Sequence, residues 1–496
     1  MKTTKIAALL LAALMLAPAA MTSCGGDQDT SADTGNAGTD TTAASGAETE
    51  PLDALEARKL LDDGVETKDY AGAPFRIITS DGQTGYYFVE SENGDVVNDA
   101  IFRRNSKVSE RFNIDIQVIY DNGYGETSKY ITSLISAGDD AADLIAMHVV
   151  EAGLLTISDY FLNWYDIPNI NFEQPWWSDS TINDLTYNGV APLAIGDFIV
   201  TALSGTYCVF YNKSLAADYD LPDMYTVVND GDWTFDYLIE TTKGIYSDLN
   251  ANGTADAEDL YGYTSDCRSN MDTFLWAFNN PVFTREGDKL VYSYKSNRIN
   301  DIVAKLVNTF TSYEGISTDY TGGWNYSINS FSESRSVFAN GTIGASTWAT
   351  ADLEDDMGFL PYPKWDDNQD RYYTMVDGSH QALAVPTTAS NLEMIGAVVE
   401  VLNAESYKLV TPAYYDVALK VKATRDMESV EMLDLIVNSR IFDFGYVYDG
   451  WDGPCFFLEN LVSQKNTNFE SFYAKEEKII TDHYNKVIEY FENYGG

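Results

Sequence analysis

The sequence predicts an α/β protein of two or more lobes, exported from the cytoplasm. Three observations lead there: strand and helix periodicities alternate from about Tyr70, the same grammar resumes near Val209, and an export leader and a low-complexity linker precede both. The 496 residues exceed what one core of about 150 residues requires, even with those leading segments removed.

The elements follow in order. Lys2 and Lys5 precede an apolar run from Ile6 to about Ala17, then small residues and Cys24, the pattern of a cleaved signal peptide. The run falls short of the roughly 20 apolar residues a membrane-spanning helix needs. From Gly25 to Glu50 the chain is Gly, Ser, Thr, Ala and acid, which cannot offset its ordering entropy by burial and reads as a disordered tether. Phe75 to Thr79 reads as a buried strand. Asn98 to Phe112 reads as a helix capped by Asn98 or Asp99, with Ile101, Val108 and Phe112 on one face. Ile114, Ile116 and Val118 alternate as a second strand, Tyr130 to Ile135 form a helix stopped by Gly138, and Asp143 to Val149 form a third strand. Such a succession implies a parallel sheet with helical crossovers. In the second half, Val209 to Tyr211 is a strand, Trp233 to Gly244 and Ile302 to Phe310 are helices, and Gly344 to Trp348 and Met357 to Leu360 are short strands. Ser390 and Glu393 form a capping-box pair ahead of Ile395, Val398, Val401 and Leu402, and a long helix carrying Ile480, Tyr484, Val487 and Phe491 closes the chain.

Composition narrows the function. The formal charge is −45, and losing Lys2 and Lys5 leaves 29 basic against 76 acidic residues, or −47. That balance repels nucleic acid and anionic headgroups and disfavours an anionic ligand. After Cys24 only Cys208, Cys267 and Cys455 remain, too few and too scattered for a disulfide framework. The histidines are His148, His380 and His483, so a zinc site is not indicated.

One motif stands on its own spacing. From Asp248 to Asp259, oxygen-bearing side chains fall at Asp248, Asn250, Asn252, Asp256 and Asp259, the Thr254 carbonyl takes position 7, and Gly253 takes the sharp turn. This is the pattern of an EF-hand-type calcium loop, with Asp259 where Glu is usual. Leu260 to Tyr263 reads as a strand rather than an exiting helix, so the loop suits a lone structural Ca2+ and not a paired sensor. The alternative is an acidic surface turn.

Met21-Thr22-Ser23-Cys24 resembles the bacterial lipobox, in which Cys24 is acylated and becomes the mature N-terminus. Beyond it, GDVVNDAIFRRNSKVSERFNIDIQ from Gly94, AGDDAADLIAM from Ala137, PWW at Pro175, GD at Gly196, FYNKSL at Phe210, FANGTIGASTWAT at Phe338, MGFLPYPK at Met357 and HQALAVPTTASN at His380 resemble, in that order, the family 1 extracellular solute-binding proteins of a clostridial branch. These are capture subunits of sugar-type ABC importers. The resemblance implies a two-lobed fold of the periplasmic-binding-protein type (class II), with the ligand cleft between lobes joined by crossing strands. It implies these segments: 1–23 signal peptide, 24–69 lipidated Cys24 and tether, 70–200 plus 375–413 lobe 1, and 201–374 plus 414–496 lobe 2. The expected function is capture of a small solute, a mono- or oligosaccharide, for ABC permease subunits at the outer face of the cell membrane, with no chemistry performed. The competing readings are a secreted carbohydrate hydrolase, which needs only two suitably spaced carboxyls, and a glycan-binding lipoprotein not coupled to an importer.

Ligands of open α/β sheets sit beyond the C-terminal strand ends, which points to Asp81 after the first strand and His148 at the end of the third. The family match adds Tyr207 and Asp197 near the crossover, Trp348 in GASTW and Trp451 in YDGWDGP. Flat rings cover the C–H faces of a sugar and acids accept from its hydroxyls. Each has a plain alternative: Trp348 and Trp451 as packing, His148 as a core histidine, and Asp197 as a hinge residue.

Overall fold

The computed structural model describes residues 54–178, 183–321, 323–349, 353–420, 427–448 and 453–495. Cys24, the leader and Trp451 therefore lie outside the described residues.

Two sheets organise the chain. The first has the order β13–β3–β1–β2, from Gln381–Ala384, Leu144–His148, Ala73–Ser80 and Ile114–Asn122. β1 is parallel to both neighbours and β13 runs antiparallel at the edge. A strand flanked on both sides and covered by helices on both faces must be apolar on both; Phe75, Ile77 and Ile78 are fully buried. The second sheet has the order β11–β4–β10–β6–β5, from Met357–Leu360, Tyr207–Asn212, Ser336–Thr342, Leu260–Asp266 and Tyr246–Ser247, with β9 (Ile316–Asp319) also paired to β6. Among the described residues there are also two small ribbons: β7–β8, a hairpin of Phe283–Glu286 and Lys289–Tyr292, and β12–β14, joining Thr374–Met375 to Arg440–Ile441.

The sheets are joined by crossing segments. The stretch entering β4 and the stretch leaving β12 lie side by side: Thr206 bridges Val376, the Asp377 amide donates to the Gly205 carbonyl at 2.8 Å, and Thr374 Oγ1 donates to the Tyr207 carbonyl at 2.7 Å. A further crossing is helical. Helix Leu392–Glu405 packs on helix Val96–Phe112 of the first sheet's layer, passes through one π-turn at Ser406–Val410, and continues as helix Thr411–Lys420.

Several local expectations shift for identifiable reasons. The helix expected from Asn98 begins at Val96, because Asp95 is the cap: its carboxylate accepts the Asn98 amide at 2.8 Å, while Asp99 accepts from Asn93 and Gly94. The capping box at Ser390 does not form. Ser390 Oγ donates to Asp140, Glu393 pairs with Lys68, and Asn391 caps the helix. Gly344 to Trp348 is not a strand; β10 ends at Thr342 and the chain turns through Ile343–Ala345 into a short helix, Ser346–Ala349.

Described structure also precedes Tyr70, inside the segment expected to be tether. A helix spans Ala54–Lys59, Asp63 is buried, and Asp63 makes a two-pronged ion pair with Arg111 at 2.6 and 2.9 Å. The Tyr70 amide donates to Phe112 O and the Gly72 amide to Asn113 O. Polar pairs and backbone bonds hold this stretch, so hydropathy alone gives no sign of it.

Candidate functional site

A cleft of about 580 Å³ opens where the crossing segments run. Its floor is made by Ser204, Gly205, Tyr207, Asp377 and Ser379, on the crossing segments themselves. One wall carries Gln83 and Tyr86, just past the C-terminal end of β1. The facing wall belongs to the second sheet: Asp266 at the end of β6 and Arg268 just past it, Asn340 on β10, Trp324 ahead of helix Tyr326–Ser332, and Trp348 on the short helix Ser346–Ala349. Gly341 is a glycine because the next strand packs closely there: a Cβ would stand 2.1 Å from the buried Phe210 ring.

The polar groups divide into committed and available. Tyr207 OH donates to Asp377 Oδ2 at 2.6 Å, and Asp377 Oδ1 accepts from the Ser379 amide and hydroxyl. Asp266 Oδ1 accepts the amides of Tyr326 and Ser327, and burial pushes its carboxyl up to about 6. Asn340 Nδ2 donates to Tyr362 OH, while its Oδ1 has no hydrogen-bond partner among the described residues. Arg268 is the sole Lys or Arg among the described lining residues, and its guanidinium lies 4.7 Å above the Trp324 ring. Trp324 and Trp348 are 61% and 57% exposed, so two large flat surfaces stand in a groove that also carries hydroxyl, amide and acid groups.

Of the residues expected from sequence, Tyr207 and Trp348 line the cleft. Asp81 sits at its edge, two residues before Gln83 and in the left-handed region at φ 60°, with its carboxylate accepting from Ser80 Oγ. His148 is not among the lining residues; it is buried, with its ring edge-on to Tyr124 at 5.1 Å, and burial lowers its pKa. Asp197 is set apart from the cleft. It accepts from Thr411 Oγ1 at 3.1 Å and faces Arg440, and burial raises its carboxyl to about 6. The pair Trp176 and Trp177 is core, both indole N–H groups donating to Glu400 at 2.9 Å.

Sequence reasoning passed over Gln83, Tyr86, Asp266, Arg268, Trp324 and Asp377. The signal for Asp266 and Arg268 was present: the strand-end rule that picked Asp81 and His148 applies equally after β6.

In the Asp248 to Asp259 loop, Asp248 accepts the Gly253 amide at 2.8 Å, Asn252 Oδ1 the Thr254 amide at 2.7 Å, and Gly253 has φ +74°. Asp259 is fully buried and accepts from Tyr246 OH and from the Leu249 and Asp256 amides. Among the described residues no three His, Cys, Asp or Glu side chains are grouped to hold a metal. The loop exits directly into β6, as its sequence indicates.

Residues 106–399 match the bacterial extracellular solute-binding protein family. The chain belongs to that family. Solved structures agree on the fold of this solute-binding protein. The maltose-bound MalE3 of T. maritima matches with a TM-score of 0.50 and 14% identity over 84% of this chain and 99% of that one. A cyclo/maltodextrin-binding protein complexed with maltotetraose matches at 0.52 and 13%, over 86% and 100%. The GacH receptor of Streptomyces glaucescens, solved unliganded and with acarbose, matches at 0.52 and 14%, over 84% and 99%. No curated protein matches the solute-binding protein by sequence. The two-lobed architecture expected from the resemblance is thus the architecture found.

Proposed function

We propose that this solute-binding protein captures a neutral saccharide in the cleft between its lobes and delivers it unchanged to an ABC permease. The observation that carries the reading is the pairing of two exposed tryptophans with a rim of hydroxyl, amide and acid groups in one groove. Aromatic faces match the C–H faces of pyranose rings, and the polar rim matches their hydroxyls. The acidic balance of the lining and of the whole chain favours a neutral ligand over an anionic one. The structural relatives were solved with maltose, maltotetraose and acarbose, which supports the same class. Hydrolysis is less well supported. The two described carboxyls of the cleft, Asp266 and Asp377, already receive backbone and side-chain donors. A thermal-shift screen over neutral mono- and oligosaccharides tests the proposal. At least one sugar should raise the melting temperature by several degrees at 100-fold excess over Kd, equivalent to about 2.7 kcal/mol, and should be recovered intact. No response across the panel, or a cleaved sugar, would overturn it.

Anchoring belongs to the same reading. Acylation of Cys24 would hold the body at the outer membrane face by the tether, and the support is the signal and lipobox pattern of the sequence. Cys24→Ala should release the protein into the medium; an unaltered chain found wholly soluble would contradict it.

We also propose calcium at the Asp248 to Asp259 loop, on the strength of its ligand spacing and its glycine at the turn. EDTA should lower the melting temperature, added calcium should restore it, and Asp248→Ala should abolish both responses. An unchanged melting temperature at millimolar calcium after EDTA treatment would refute it.

A further inference from the structure

We propose that Arg104 and Asp121 are positioning residues that clamp the two ends of one helical turn, Thr84–Tyr87, and so set the first-lobe wall of the cleft. The inference rests on the cleft being the saccharide site.

The wall is poorly held by its own backbone. Gln83 and Tyr86 line the cleft at the start and within a helix of 4 residues, far below the roughly 12 at which a helix in water begins to persist. The chain enters this turn from β1 through Asp81 and Gly82, both in the left-handed region at φ 60° and 75°. That region is sparsely populated away from glycine, so neighbouring contacts must fix the exit from β1.

Both ends of the turn are held by charged side chains from other elements. At the entry, the Asp121 carboxylate on β2 accepts the Gly82 amide at 2.9 Å, the Thr84 amide at 3.0 Å and the Thr84 hydroxyl at 2.7 Å. At the exit, one guanidinium nitrogen of Arg104, on helix Val96–Phe112, donates to the Tyr86 carbonyl at 3.0 Å and the Tyr87 carbonyl at 3.3 Å. Asn105 adds a second donor to the Tyr87 carbonyl at 2.8 Å. The signs suit the turn, whose amides gather partial positive charge at the entry and whose carbonyls gather partial negative charge at the exit.

Arg104 is a costly way to fill this space. It is fully buried, its guanidinium lies 4.6 Å over the Phe198 ring, and its remaining hydrogen bonds go to Asn105 Oδ1 and Ser406 Oγ. These acceptors are all neutral. A cation taken from water without an acid partner carries a desolvation penalty that an apolar side chain of similar volume avoids. What arginine supplies is the rigid fork of charged donors, which reaches the wall, the ring and Ser406 from one flat group.

The test has two arms, both on the full mature chain. The first is hydrogen exchange without sugar. In Arg104→Met the amides of 82–88 should speed up by at least about tenfold more than those of β3 and β4, because the opening is local. Asp121→Ala, at the other end of the turn, should do the same and serves if Arg104→Met does not fold. Acceleration spread evenly over both sheets, or none at 82–88, would overturn the clamp. The second arm titrates the sugar that gives the largest shift in the thermal panel. Arg104→Met should weaken its binding roughly tenfold in the parent, but less than about threefold in a chain already carrying Gln83→Ala and Tyr86→Ala, since residues acting through one another are not additive. An equal loss in both backgrounds would show that Arg104 does not act through this wall. If no sugar binds the parent, the reading of the cleft fails, and the exchange arm still decides the clamp.

Discussion

Trp348→Ala should weaken saccharide binding by about 2–4 kcal/mol, the range for a truncated aromatic anchor. This corresponds to roughly 30- to 1,000-fold in Kd. The ring is 57% exposed on the short helix Ser346–Ala349 at the cleft wall, so the unliganded protein loses no core when it is removed. Its melting temperature without ligand should stay that of the parent, because exposed substitutions usually fall within about 0.5 kcal/mol. Trp324→Ala should also weaken binding, and it releases the Arg268 guanidinium that lies on the ring. Calorimetric titration with the best sugar of the screen measures both. Parent-like affinity in both variants would remove the aromatic surfaces from the site.

The largest effect on stability is expected at Glu400. This fully buried carboxyl receives the indole N–H groups of Trp176 and Trp177 and the Asn171 amide at 3.1 Å. Glu400→Ala strands the two buried indole donors in the core and should cost about 3–5 kcal/mol in denaturant unfolding. The same group gives stability a pH slope. Burial lifts its pKa to about 7, and the three donors only partly oppose that rise. Its folded pKa is thus above its unfolded one, so its contribution is full below the unfolded value and is lost as pH rises through about 7. Asp197, Asp266 and Asp443, each raised by burial to about 6, act with the same sign. Burial lowers His380 to about 4, so its contribution disappears as pH falls from the histidine range toward that value. The melting temperature should therefore be higher near pH 5.5 than at pH 8, and Glu400→Gln should flatten the fall. A parent that gains stability from pH 5.5 to 8 would contradict this balance.

The fold was legible where the physics is local and repetitive. β1 and β3 announce themselves because a parallel strand buried on both faces leaves a continuous apolar run, the edge strand β2 by its alternation, and helix Val96–Phe112 because its core face recurs at the helical period. The capping box misled because Ser390 and Glu393 had better partners in Asp140 and Lys68, which are distant in sequence. The N-terminal segment misled because the Asp63–Arg111 ion pair and a few backbone hydrogen bonds hold it, and these leave no periodic trace.

The cleft was half legible. Tyr207 and Trp348 could be placed by family likeness, yet Gln83, Asp266, Trp324 and Asp377 are spread over most of the chain. They converge only because strand ends of two sheets face the same crossing. His148 followed the strand-end rule but is buried and is not among the residues lining the cleft, with its ring edge-on to Tyr124.

The central claim is that the ligand sits between the lobes and draws them together. Small-angle scattering, with and without a saturating saccharide chosen from the screen, tests it most directly. The radius of gyration should fall on binding, and Trp348→Ala at the same sugar concentration should keep the unliganded value. A sugar that binds with no change in the radius of gyration would place the site outside the cleft and contradict the account.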